Sequence, residues 1–370
     1  MRLRDLGITV GRLSPGSLNA ITDVEGVRVG HTTLIRGDGP LVVGHGPVRT
    51  GVTVVLPHEG IAEHPVFAGC HTLNGNGEVT GLEWVRESGQ LTTPIGLTNT
   101  HSVGLVRDAL VATDVGRHPA GAVYWSLPVV GETYDGTLND INGMHVKPEH
   151  VQEALANASA GPVPEGNVGG GTGMICHEFK GGIGTASRVV DATEGGYTVG
   201  ALVQANYGRR ERLTVNGVPV GEVISRGVIP SPYDAPTGGG SIIVALATDA
   251  PLLPHQLRRV AQRAGLGVAR AGGAGEHSSG DIFVAFSTAN ADKLLSYKDK
   301  LQEPTVTLEM LPDAAISPLF WAAIEATEEA ILGALVAAET MTGRDSITAH
   351  RLDHHLLLGA MEAFGRPPAT

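Results

Sequence analysis

Apolar residues along this chain come in short runs separated by glycine-rich breaks. Valine, isoleucine and leucine concentrate at residues 27–35, 51–56, 122–128 and 198–205. Each run is bounded by Gly, Pro, Asn or Asp, and such runs predict strands. Residues 148–158 open on Pro148 and read as a helix. A further apolar, β-branched run begins at Ser241 and lasts to about Thr248. Residues 254–270 then predict a helix, because Leu257, Val260, Ala261, Ala264 and Val268 recur at helical spacing. Residues 272–280 read as a loop and 282–286 as a second apolar strand. Residues 319–340 predict a long amphipathic helix with Phe320, Ala323, Ile324, Ile331, Ala334 and Leu335 on its apolar face, interrupted only by Thr327.

No internal repeat or long linker divides the chain. The strand beginning at Ser241 is too apolar to stand alone, so residues 1–240 and 241–370 read as two parts of one core and one domain. The alternation of strands and helices suits a layered α/β sandwich. The 370 residues include 52 glycines and are 42% hydrophobic, without a triplet period, which argues for a packed core over collagen or disorder. A net charge of −12 disfavours nucleic acid and anionic membranes as partners. The basic cluster Arg209-Arg210-Glu211-Arg212 is interrupted by an acid and reads as a solvated loop. The N-terminus carries no apolar leader and no stretch is long enough to span a bilayer. Two distant cysteines, Cys70 and Cys176, make no disulfide framework; they read as small buried hydrophobes, and a cytoplasmic location is expected.

The candidate chemistry starts at Gly238-Gly239-Gly240-Ser241, which runs straight into the strand 241–248. Glycine leaves its carbonyl open to attack and tolerates unusual backbone angles. The Ser241 hydroxyl can then attack the Gly240 carbonyl, and the chain would cut itself. The product would be a new N-terminal serine, whose α-amine, with an ordinary pKa of about 7.7–8.0, can act as base for its own hydroxyl. By itself, such a junction reads as a turn before a strand.

Its company changes that reading. The chain carries Asn19-Ala-Ile-Thr-Asp-Val-Glu-Gly-Val-Arg-Val-Gly-His31, Thr50-Gly-Val-Thr-Val-Val-Leu-Pro57, Pro94-Ile-Gly-Leu-Thr-Asn-Thr100 and Glu132-Thr-Tyr-Asp-Gly-Thr-Leu-Asn-Asp-Ile141. Glu165-Gly-Asn-Val-Gly-Gly-Gly-Thr-Gly-Met174, Lys180-Gly-Gly-Ile-Gly-Thr-Ala-Ser-Arg188, Gln204-Ala-Asn-Tyr-Gly208 and His277-Ser-Ser-Gly-Asp281 follow. In this order the motifs resemble the L-aminopeptidase/D-esterase and β-peptidyl aminopeptidase family, over nearly the whole chain. The resemblance implies a four-layer α-β-β-α sandwich, like that of N-terminal-nucleophile hydrolases but with altered strand connectivity. It also implies a self-processing serine aminopeptidase acting on short peptides, amides and esters, D- or β-amino-acid derivatives among them, with no cofactor or metal. The cut would give 1–240 and 241–370, and the cleaved pairs would assemble as a homo-oligomer, a tetramer in the family's usual form.

The same resemblance implies residue roles. Ser241 is the nucleophile, and Ser279 and Asp281 form a hydrogen-bond relay with it; the base is either this relay or the freed α-amine. Asn206 donates to the oxyanion, Tyr134 lies near it, and Glu132 binds the substrate's ammonium, for which a carboxylate is the fitting partner. An acyltransferase like the ornithine acetyltransferases, and a non-enzymatic glycine-rich scaffold, are the competing readings; the transferases, like nylon-oligomer hydrolase, present threonine where this chain has serine. Gly169-Gly-Gly-Thr-Gly173 lacks the Lys-Ser/Thr of a phosphate loop and reads as a tight turn. His350 and His354 could share a helix face, but no third metal ligand follows at a recognised spacing. Asp23, His31 and Lys180 sit in family-like motifs with no chemical role assigned.

Overall fold

The computed structural model describes residues 1–121, 123–234, 240–294 and 305–367. In chain order the first twelve strands are β1 (Arg28–Arg36), β2 (Val48–Leu56), β3 (Val66–Gly75), β4 (Gln90–Leu91), β5 (Ile95–Asn99), β6 (Val129–Thr133), β7 (Ile175–Cys176), β8 (Phe179–Lys180), β9 (Gly182–Val189), β10 (Thr198–Asn206), β11 (Gly240–Thr248) and β12 (Ser279–Ser287). The helices that matter are α1 (Leu82–Ser88), α2 (Val103–Arg117), α3 (Pro148–Ala156), α4 (Val220–Val223), α5 (Pro254–Arg270), α6 (Ser317–Ala337) and α7 (His354–Ala363).

Six strands form one sheet in the order β4-β3-β12-β11-β10-β9, and four form a second in the order β1-β2-β5-β6. Helices α5 and α6 cover the outer face of the first sheet; α2 and α3 cover the second. The result is the four-layer α-β-β-α sandwich. Strand β11 shows why its sequence is apolar at every position. Ile242, Val244 and Leu246 join the core under the helices, whereas Ile243, Ala245 and Ala247 join the core between the sheets. A strand buried on both faces reads as a continuous apolar run.

Helix α5 begins and ends where the periodicity places it. Pro254 supplies a first-turn residue that needs no N–H partner, and the Gln256 side chain accepts from the Leu253 N–H at 3.0 Å. Three expectations are corrected. Residues 123–128 form no strand, and Ala122 lies outside the described residues; the strand starts at Val129, directly after Pro128, which has no N–H to give a ladder. The strand expected at 282–286 already begins at Ser279. The predicted amphipathic helix is α6, and it is buried almost all round. Glu325, Glu328 and Glu329 belong to that buried surface. Arg188 on β9 reaches Glu329 at 2.5 Å and Glu325 at 3.3 Å, Arg4 chelates Glu329, and Arg270 lies 3.3 Å from Glu328. The helix can lie this close because Gly184 of β9 has no Cβ; one would sit 1.9 Å from the Ala330 carbonyl oxygen.

Removing Arg188 takes the buried cation from Glu325 and leaves Glu329 with Arg4 alone. Arg188→Met is therefore expected to cost about 3–5 kcal/mol, the usual penalty for breaking a buried pair. A lowered urea midpoint with an unchanged slope checks it.

The basic cluster is also corrected. Arg210 is fully buried; its guanidinium lies 3.5 Å over the Phe179 ring and donates to the carbonyls of His177, Glu178, Ile224 and Ile229. His350 and His354 share no helix face, since α7 begins only at His354. Both cysteines are free and buried, and burial pushes the Cys176 thiol up to about 12.

Candidate active site

Strand pairing brings the expected residues to one end of the first sheet. Asn206, the last residue of β10, is the antiparallel partner of Ser241 on β11. Ser241 is in turn the parallel partner of Gly280 on β12. Side chains alternate along a strand. Ser241 therefore shares a side with Ile243, and Asn206 with Gln204, whose amide reaches Thr98 and Thr133 of the facing sheet. Both point between the sheets, where β6 delivers Glu132.

Gly240 and Ser241 open β11 together; Gly238 and Gly239 lie outside the described residues. Gly240 has φ +136°, a conformation that side chains rarely adopt, and a Cβ there would sit 2.2 Å from the Asn206 carbonyl oxygen. The Ser241 hydroxyl donates to the Gly240 carbonyl at 2.7 Å and accepts from the Gly280 N–H at 3.2 Å. It is held against the carbonyl of its own preceding peptide bond.

The Asn206 side chain is fixed at both ends: Oδ1 accepts from the Ile175 N–H at 2.8 Å, and Nδ2 donates to the Tyr134 carbonyl at 3.0 Å. An amide nitrogen has two hydrogens, so one is left for the cavity. Glu132 is buried in β6, not in the exposed loop that its neighbours Thr133, Tyr134 and Asp135 suggest. Its carboxylate accepts from the Glu78 N–H at 3.0 Å and from the Thr100 hydroxyl. Burial raises its pKa, and the Thr100 and Glu78 hydrogen bonds oppose that rise. A cavity of about 500 Å³ joins Glu132, Tyr134, Asn206, Gly240 and Ser241.

Ser279 and Asp281 are bonded to each other, Oγ to Oδ1, at 2.7 Å. They alternate onto the helix-facing side with Phe283, opposite the Ser241 hydroxyl. The expected relay thus stops short of that hydroxyl, and the pair faces the end of β11 from behind. Burial raises the Asp281 pKa, opposed by the Ser279 hydrogen bond.

Glu78, Thr100, Asn76 and Tyr233 also line the cavity and escaped the sequence reading. Thr100 closes a quoted motif, which was the available signal; the others come from loops that only the fold brings near. Asn76 Nδ2 bonds the Ser278 carbonyl at 2.8 Å, tying the β3 end to the loop before β12. Asp23 is structural, accepting from the N–H groups of Leu18 and Ala20 and from the Ser187 hydroxyl. His31 bonds Thr53, and burial lowers its pKa to about 4. Gly169–Gly171 make a short 3-10 turn buried against β2. Among the described residues no three His, Cys, Asp or Glu side chains cluster as a metal site, and no helix is long and apolar enough to cross a membrane.

A serine at the head of a central strand, an amide beside it and a buried carboxylate meet across one cleft, an arrangement suited to a hydrolase. The chain belongs to peptidase family S58, whose model matches residues 19–349. It is 51% identical to the β-peptidyl aminopeptidase BapA of Sphingosinicella microcystinivorans, covering all of this chain and 94% of that one. A Burkholderia sp. β-aminopeptidase structure superposes with a TM-score of 0.91 at 57% identity, covering 99% of each chain. The L-aminopeptidase D-Ala-esterase/amidase of Ochrobactrum anthropi, described as a prototype for the serine aminopeptidases and a variant of the Ntn hydrolase fold, superposes with a TM-score of 0.89 at 45% identity, over 100% of this chain and 99% of that one. The protein is a hydrolase, a serine aminopeptidase of the Ntn-like fold.

Proposed function

We propose that the protein matures by cutting itself between Gly240 and Ser241, and then releases N-terminal residues from short peptides, amides and esters with a free amine. The hold of Ser241 Oγ on the Gly240 carbonyl carries this reading. In maturation the Oγ–carbonyl bond forms, the Gly240–Ser241 C–N bond breaks, and the hydroxyl proton passes to the departing nitrogen. Water then hydrolyses the ester, leaving a Gly240 carboxylate and a free Ser241 amine.

In turnover the same hydroxyl attacks the substrate carbonyl and its own α-amine takes the proton. The Ser279–Asp281 pair steadies that amine from the other face of the sheet. Asn206 donates to the oxyanion, Tyr134 borders it, and Glu132 receives the substrate ammonium. The names of the relatives support β-aminoacyl substrates first. Release rates across L-, D- and β-amino-acid anilides test that preference; a chain indifferent to β-residues loses it. Homo-oligomeric assembly of the cleaved pairs is part of the proposal, and sedimentation of matured protein checks it.

Asn206→Ala is expected to keep the fold and to lower kcat by about 10²–10³, because its amide meets charge that exists only in the transition state. The comparison uses cleaved protein, since maturation draws on the same group. Unaltered kcat in well-folded, cleaved variant removes Asn206 from this role.

A further inference from the structure

Lys180 ends β8 and is wholly buried, with no carboxylate bonded to it among the described residues. All three ammonium hydrogens are taken by backbone carbonyls: Met174 at 2.8 Å, Gly181 at 2.8 Å and Gly171 at 3.3 Å. Met174 is the informative one. The peptide unit whose oxygen accepts from Lys180 is the one whose nitrogen, that of Ile175, donates to Asn206 Oδ1. A cation on the carbonyl side of a peptide makes its N–H a stronger donor, since bonds in such a chain polarise one another. The Asn206 amide is pulled the same way, and its Nδ2 hydrogens become better donors.

We infer that Lys180 is a positioning residue for the oxyanion site, acting through the Met174–Ile175 peptide on the Asn206 amide. The inference rests on the reading of Asn206 as oxyanion donor. The ammonium is the active form, because a neutral amine has only two hydrogens and no charge to transmit. Burial lowers the Lys180 pKa to about 7, while three carbonyl acceptors favour the cation. Cys176 on β7, with its thiol raised to about 12, stays neutral, and Asp135, which packs against Gly173 at the far end of the turn, has its pKa raised by burial to about 7.

The test is a double-mutant cycle on cleaved protein with an aminoacyl p-nitroanilide. Lys180→Met is expected to lower kcat by about tenfold or more with KM changed less than about threefold. In an Asn206→Ala background the same change should cost almost nothing, since the amide it acts through is gone. A slow Asn206→Ala enzyme with a fully additive Lys180→Met loss overturns this inference alone. An Asn206→Ala enzyme of wild-type kcat overturns the oxyanion reading and this inference with it. Lys180→Arg guards against a Met variant that does not fold. It keeps a cation beside the Met174 carbonyl, so folded, cleaved Lys180→Arg should retain more kcat than Lys180→Met. A Lys180→Arg enzyme as slow as Lys180→Met overturns the proposal.

Discussion

Replacing Ser241 by alanine is expected to leave the chain in one piece of 38.2 kDa and without activity. Wild-type protein should instead run as fragments of about 25 and 13 kDa, in proportion to 240 and 130 residues. The two losses come from one atom. Ser241 Oγ donates to the Gly240 carbonyl, and Ser241 lines the cavity, so one atom serves both proposed steps. Intact-mass and N-terminal analysis read the outcome, and fully active protein that stays uncut removes the mechanism. Gly240→Ala separates geometry from chemistry. It keeps the nucleophile but puts a methyl 2.2 Å from the Asn206 carbonyl oxygen in a backbone region hostile to side chains. It should slow maturation strongly while Ser241 itself is untouched. Cleavage at the wild-type rate would show that the strand end need not hold this shape.

Acetylating the substrate's amine is expected to abolish turnover almost completely. Glu132 is buried, and its two protein donors leave lone pairs free for an ammonium. Removing one partner of a buried, hydrogen-bonded charge pair costs about 2–5 kcal/mol, roughly 30- to 5,000-fold in kcat/KM. Glu132→Gln should penalise free-amine anilides by a similar factor and small esters far less, because the ester reaction uses Ser241 and Asn206 without an ammonium contact. The pH dependence has a fixed sign. Burial raises the Glu132 pKa, so as pH falls the carboxylate protonates earlier than an exposed one, and amine binding weakens on the acid side. Equal turnover of free and acetylated substrates would reject the aminopeptidase site and favour an acyltransferase.

Much of this was legible in the chain. The β11 run and the α5 periodicity are local signals, and the structure places both elements within a residue of the pattern. The site motifs were legible as motifs. Their geometry was less so, because register is set between strands distant in sequence. Nothing near Ser279 says that its side chain alternates away from the Ser241 hydroxyl; that follows from pairing Gly240 with Ser279. Glu132 sits on β6, a strand of five residues directly after Pro128, and its burial depends on β11 stacking across the sheets. The helix α6 reads as amphipathic although its glutamates are buried, for the same reason. Their partners Arg4 and Arg188 lie more than a hundred residues away, so the pattern held the acids without the cations that let them be buried. Arg210 misled in the same way, since the carbonyls it gathers come from three separate segments.

The strand order has a consequence for the two proposed fragments. Strands β11 and β12 belong to the shorter one, yet they lie between β3 and β10 of the longer. Helix α6, also from the shorter piece, roofs β9 and β10 of the longer. The pieces are interwoven like the fingers of two clasped hands, so a cut enzyme would elute from a sizing column as though whole. Separately expressed halves would each lack the middle or the margins of a six-stranded sheet and would have to fold around one another. An enzyme made this way keeps its newly exposed amine for life, because the end that the cut creates is stitched into the centre of the molecule.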